Sequence, residues 1–128
     1  MRENIAVGNK FRYGGQDPKM GISYSTTGTV ELGDIVGPTN AGATVTRPAD
    51  GAKFLGQVIS KERDGSVGVR THLTHVAVAT GAVTPGLTDL AANGTGGVKA
   101  VAAGAGVPCN VLGTQVVDGV TYVAFHRL

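Results

Sequence analysis

Three histidines, one cysteine and a scatter of acids are the side chains of this 128-residue chain that could do chemistry. His72 and His75 lie three apart inside a strand-type run, Val67 to Thr80. The period-2 alternation of a strand sends them to opposite faces. That spacing suits a metal site on a helix or loop, and only His126 and Cys109 remain as further ligands, so no metal centre is expected. Cys109 sits in an apolar context between Pro108 and Val111 and reads as a small buried hydrophobe. A lone cysteine also excludes an internal disulfide. No Ser lies in a Gly-x-Ser-x-Gly elbow and no Gly-x-x-x-x-Gly-Lys-Ser/Thr loop exists. Gly104-Ala105-Gly106 is too short for a dinucleotide loop. The residues point away from an enzyme and from any cofactor.

The acids sit mostly beside Gly or Pro: Asp17-Pro18, Gly33-Asp34, Asp50-Gly51, Asp64-Gly65 and Asp118-Gly119. That is turn chemistry, in which a short carboxylate bonds nearby backbone N–H groups. Val30 to Val36 has the look of the glycine-turned hairpin of biotinyl and lipoyl carrier domains. Lys53, Lys61 and Lys99 lack the flanks of a modified lysine, and the segment reads as a generic β-turn.

Composition narrows the class further. Charged residues make up 16% of the chain and the net charge is +2, too weak and too dispersed for nucleic acid or an anionic membrane. Aromatics are 5% with no Trp, fewer than a base- or sugar-stacking groove uses. No run approaches the ~18 apolar residues of a membrane span, and the first residues lack the apolar core of a signal peptide. The chain is therefore expected to be made in a cytoplasm. A surface so poor in charge hints at assembly with other subunits.

The elements that would position any site are short β-type runs between turn signals. The 21 glycines fall between runs of Val, Ile and Thr with no Gly-X-Y period, as turns and bulges require. Expected strands are Met20 to Tyr24, Thr29 to Val36, Ala43 to Arg47, Phe54 to Glu62, Val67 to Thr80, Val98 to Ala102, Val111 to Val117 and Val120 to Arg127. Leu87 to Leu90 is weaker, and it is the one place that tempts a helix. Within Val67 to Thr80 the apolar parity switches from Val67, Val69 and Leu73 to Val76 and Val78. A bulge, or a move from one sheet to another, is expected near Thr74-His75. Residues 1–18 differ from the rest. They read either as a frayed terminus or as an arm that orders on a neighbour, with Phe11, Arg12 and Tyr13 as its contacts. Residues 19–128 form the folded domain.

An imperfect internal repeat supports an all-β reading. Phe54-Leu55-Gly56-Gln57-Val58, then Asp64-Gly65, then Val67 to Arg70 returns as Val111-Leu112-Gly113-Thr114-Gln115-Val116, Asp118-Gly119 and Thr121 to Ala124. Leu32 to Val36 echoes Pro85 to Asp89 in the same way. The expected fold is a small Gly-rich β-barrel or β-sandwich made of two related meander halves, the halves closing one barrel or sandwich. The last strand is apolar on both faces, Tyr122 on one and Phe125 on the other. It must be covered twice, by the core and by a second sheet or a neighbouring subunit, so Tyr122 and Phe125 join the candidate interface residues.

The Gly33-to-Val36 start, the Leu55-Gly56 strand, the Gly65-to-Val69 return and the Leu112-to-Leu128 close resemble the capsid cement (decoration) proteins of tailed bacteriophages. The resemblance covers roughly Thr29 to the C-terminus. It implies a β-barrel or sandwich that assembles as a homotrimer at three-fold and quasi-three-fold positions on the outer capsid surface. There it would clamp the major capsid protein, with no catalytic residue, cofactor or small-molecule substrate. A tail, fibre or baseplate module and a small ligand-binding barrel remain alternatives.

Overall fold

The computed structural model describes residues 21–128. Ten strands run in chain order: β1 Ile22–Thr27, β2 Ile35–Pro38, β3 Thr44–Thr46, β4 Gly56–Lys61, β5 Val67–Arg70, β6 His75–Thr80, β7 Gly86–Ala92, β8 Val98–Val101, β9 Val107–Val117 and β10 Val120–Arg127. The described residues carry no helix, and Leu87 to Leu90 falls inside β7. The fold is all-β and made of two related halves. Each half closes on itself: β1-β3-β2-β4-β5 form one barrel and β6-β8-β7-β9-β10 form a second. The expectation that the halves close a single barrel gives way to two closures, because the pairings β1·β5 and β6·β10 seal each half internally.

The two barrels share one connectivity. The first and third strands of each half run parallel, and every other pair is antiparallel. Each half has a bulge at the same register, Ile59 between Val58 and Ser60 in β4 and Leu112 between Val111 and Gly113 in β9. Pairing Val58 with Val69, and Val111 with Phe125, sets the structural equivalence of the halves. It matches Ile59 to Leu112, so the two Leu-Gly dipeptides of the sequence repeat are not equivalent in space. Asp118 (φ 51°) and Gly119 (φ 78°) make the two-residue turn with both φ positive that fits strand twist. At the other hairpin tip Asp64 Oδ1 accepts from Ser66 N (2.9 Å) and Ser66 Oγ (2.7 Å), while Gly65 supplies the left-handed residue at φ 90°.

The expected switch between Val67 and Thr80 is a passage from one barrel to the other through residues 71–74, as one of the two alternatives had it. The apolar parity behaves differently from the sequence reading. Inward positions stay odd-numbered: Val67, Val69, His75 and Ala77 are buried, whereas Val76 (55% exposed) and Val78 (40%) point out. Barrel closure decides this, because the pairing of β6 with β10 sets His75 beside Phe125 and Ala77 beside Val123 on the inner face.

The first core is small and almost all valine: Val30, Val36, Val45, Val58, Val67 and Val69. The second holds Leu90, Val98, Val107, Val111, Val123 and Phe125, and also takes in Ile35 and Phe54 from the first half. Phe54 meets Phe125 edge-on, centroids 5.8 Å apart at 72°. Main-chain and side-chain bonds stitch the same seam. Ile35 N donates to Gly96 O (2.9 Å), Gly51 N to Ala92 O (2.8 Å) and Ala92 N to Ala52 O (2.9 Å). Gln57 Nε2 donates to Val76 O (2.7 Å), Arg127 to Leu55 O (2.7 Å), and Lys99 pairs with Asp50 at 2.8 Å. Gly96 approaches so closely that a Cβ there would stand 2.5 Å from Asp34 Oδ1. The carboxylate of Asp34 is itself held by Arg47 at 2.7 Å.

Candidate interaction surface

Beyond the shared bulge the first hairpin continues for two ladder pairs, Ser60–Gly68 and Lys61–Val67. The second continues for five, ending at Gln115–Tyr122, Val116–Thr121 and Val117–Val120. The first hairpin ends in the wider tip 62–66 and the second in a two-residue turn, so the three additional pairs carry the second about 5 Å further. Pairing of β9 with β7 stops at Val111 and pairing of β10 with β6 stops at Tyr122, so both edges are open beyond Gln115–Tyr122 among the described residues. An open edge is a ready template for pairing with another chain, and proteins usually blunt it with Lys, Pro or a cover. Here the one charge is Asp118 in the turn, and the exposed side chains are Val116 (65%), Val117 (46%) and Val120 (37%).

The apolar surface runs on from the extension. Across the outer face Val78 stands opposite Tyr122, which stands opposite Gln115, and Val76 stands opposite Ala124, which stands opposite Gly113. The equivalent row of the first barrel is Ser23, Gly68 and Ser60. One barrel thus shows solvent a polar, small-residue face, and the other an uncharged face of valines and one tyrosine. Single exposed apolar residues are ordinary, but a contiguous set marks a contact surface.

The residues expected at an interface separate. Tyr122 lies on this face, 36% exposed. Phe125 does not: it is fully buried against Phe54 and His75, because the inward parity of β10 that carries Val123 carries Phe125 too. Its role is corrected to core. Phe11, Arg12 and Tyr13, with the 1–18 arm, lie outside the described residues. Val76, Val78 and Val116 were not singled out from sequence, where alternation assigned the first two to the interior. The signal that could have found the extension is the longer spacing from bulge to turn in the second copy.

The titratable groups are dispersed. His72 is exposed in the inter-barrel connection, hydrogen-bonded to Thr71 Oγ1 at 2.8 Å, whereas His75 is fully buried. Among the described residues neither ring nitrogen of His75 has a hydrogen-bond partner, and its ring lies 5.4 Å from that of Phe125. Burial, and then the charges of Arg70, Arg127 and His72, push its pKa down to about 4, so it is neutral at pH 7. His126 bonds Asn110 at 3.2 Å on the outer face of the second barrel. Cys109 is buried, with its Sγ 3.3 Å from Val107 O, and burial pushes the thiol up to about 11, which suits packing and not nucleophilic attack. Among the described residues no three His, Cys, Asp or Glu side chains gather as a metal site. An open cleft of about 570 Å³ lies at the crease between the barrels, bordered by Leu55, His72, Leu73 and Arg127. It brings no acid–base pair together.

No protein-family model matches the chain, and no curated protein matches it.

Proposed function

We propose that this protein is a non-catalytic structural subunit, a capsid decoration (cement) protein of a tailed bacteriophage. In this reading it binds the outer surface of the head as a homotrimer at three-fold and quasi-three-fold sites and braces neighbouring major capsid subunits. The observation that carries an assembly role is the extended β9–β10 hairpin: its last two ladder pairs, Val116–Thr121 and Val117–Val120, lie beyond barrel closure, open on both edges among the described residues and carrying exposed valines. Such an element offers main-chain hydrogen bonds and side-chain pockets to a partner strand. The low charge of the chain and the sequence resemblance from Thr29 onward favour a capsid surface as the partner.

The test is co-sedimentation of the purified protein with salt-stripped heads of the phage that encodes it, counting copies per shell. Saturable binding in multiples of three per local three-fold site is expected, and binding should fall at least tenfold when Val116 and Val117 are both replaced by Glu. Failure to bind heads, or binding to tails alone, overturns the capsid assignment.

A further inference from the structure

Because the halves are equivalent by register, each position in one barrel has a counterpart whose surroundings can be compared. The bulge alignment matches Ile35 to Leu87 and Gln57 to Asn110. In the first barrel this outward pair is the inter-barrel contact. Ile35 is fully buried in the second barrel's core cluster, and the Gln57 amide donates to Val76 O. In the second barrel the same pair faces solvent. Leu87 is 80% exposed, the highest value among the large apolar side chains of the described residues, and Asn110 with its neighbour His126 is only half-covered. An open cleft of about 420 Å³ beside Leu87 is bordered by Val101, Pro108 and Leu128.

We infer that the Leu87–Asn110 face docks the first barrel of a second copy of this chain, repeating between chains the packing that joins the two barrels within one. This rests on the self-association in the proposed function and does not need the capsid. The occupant follows from the internal precedent: the one partner this chain shows for an apolar-plus-amide outer pair at that register is a barrel of its own kind. Both positions keep their chemistry in the second copy, a branched aliphatic residue and a carboxamide, although Leu87 contributes nothing to its own barrel's core. Joining the second barrel of one chain to the first barrel of the next is a heterologous contact. It builds a ring if the rotation closes and an open chain if it does not. A closed trimer built this way would be a ring of six similar barrels.

The experiment has two arms on the full chain. Sedimentation velocity over a concentration series compares wild type with Leu87→Glu, thermal melts confirming that the variant is folded. Leu87→Glu is expected to weaken self-association at least tenfold. In the second arm Leu87→Cys carries a benzophenone, Cys109 being buried, and is mixed with isotopically heavy unlabelled protein. Crosslinks are expected on residues 21–70 of the heavy copy. Oligomers that survive Leu87→Glu, or crosslinks confined to the partner's second barrel, overturn the inference and leave self-association standing. A wild type that stays monomeric at all concentrations overturns both.

Discussion

The two barrels share a strand order, a bulge and a hairpin on the same strands, yet they spend their side chains differently. Among the described residues the first keeps a core of valines and hands its larger groups, Ile35 and Phe54, to its neighbour. The second packs Leu90 and Phe125 around them, then carries an uncharged outer face and a long open hairpin that the first lacks. Duplicating a fold doubles its surfaces, and one copy suffices to close a core. What differs between the copies is therefore the part that stability leaves free: the first has a row of serines and glycine outside and shares its large side chains, the second is anchored inside and shows solvent valines and a tyrosine.

The largest expected effect breaks the comparison at the shared core. Phe54→Ala removes the ring that meets Phe125, and a loss of about 3–5 kcal/mol is expected. Chemical denaturation should still give one transition for both barrels. Two separated transitions would show that the halves fold independently.

Next comes His75, which by register occupies the place of the half-exposed Ile22 in the first barrel. Its folded pKa, about 4, lies below the ordinary 6.5, so the unfolded chain takes up a proton first as pH falls. Stability is expected to decline between pH 6.5 and pH 4 by about 3 kcal/mol and to level off, for this group, below that. His75→Leu should flatten the slope in denaturation curves recorded across that window. An unchanged slope would place the acid sensitivity elsewhere.

A smaller effect separates the two Leu-Gly dipeptides. A Cβ at Gly56 would stand 2.3 Å from Arg70 O, whereas one at Gly113 meets nothing within 4 Å. Gly56→Ala is expected to cost about 1–3 kcal/mol and Gly113→Ala less than about 0.5 kcal/mol, read as a difference in denaturation midpoints. The smallest effect comes from trimming the second hairpin to the length of the first. Removing residues 116, 117, 120 and 121 joins Gln115 to Tyr122 through Asp118-Gly119 and keeps the Tyr122–Val78 pair that closes the barrel. It should change stability by less than about 1 kcal/mol, because the lost side chains are exposed or partly exposed, while solubility rises and partner binding disappears.

Much of the architecture was legible in the residues. Alternating Val and Thr runs, Gly-flanked acids and the Asp-Gly turns marked the strands and hairpins, and the repeat marked two halves, because these depend on local backbone preference and on period. The candidate surface was half legible. The double apolarity of β10 put Tyr122 and Phe125 on opposite faces; Tyr122 faces out and Phe125 inward. Apolar residues on both faces say that both are suited to burial, and they do not say which is covered within the chain.

What the sequence determined by itself is the β class, the turns and the duplicated plan, all set by neighbours a few residues apart. Tertiary structure alone decided that each half closes its own barrel. It also decided that Val76 and Val78 face solvent while His75 is buried without a hydrogen-bond partner among the described residues, and that Ile35 is covered where Leu87 is bare. The physical reason is that strand period fixes two faces without naming the inner one. That choice belongs to long-range closure, where the volume around Phe125 and the pairing of β6 with β10 outweigh the hydrophobicity of any single side chain.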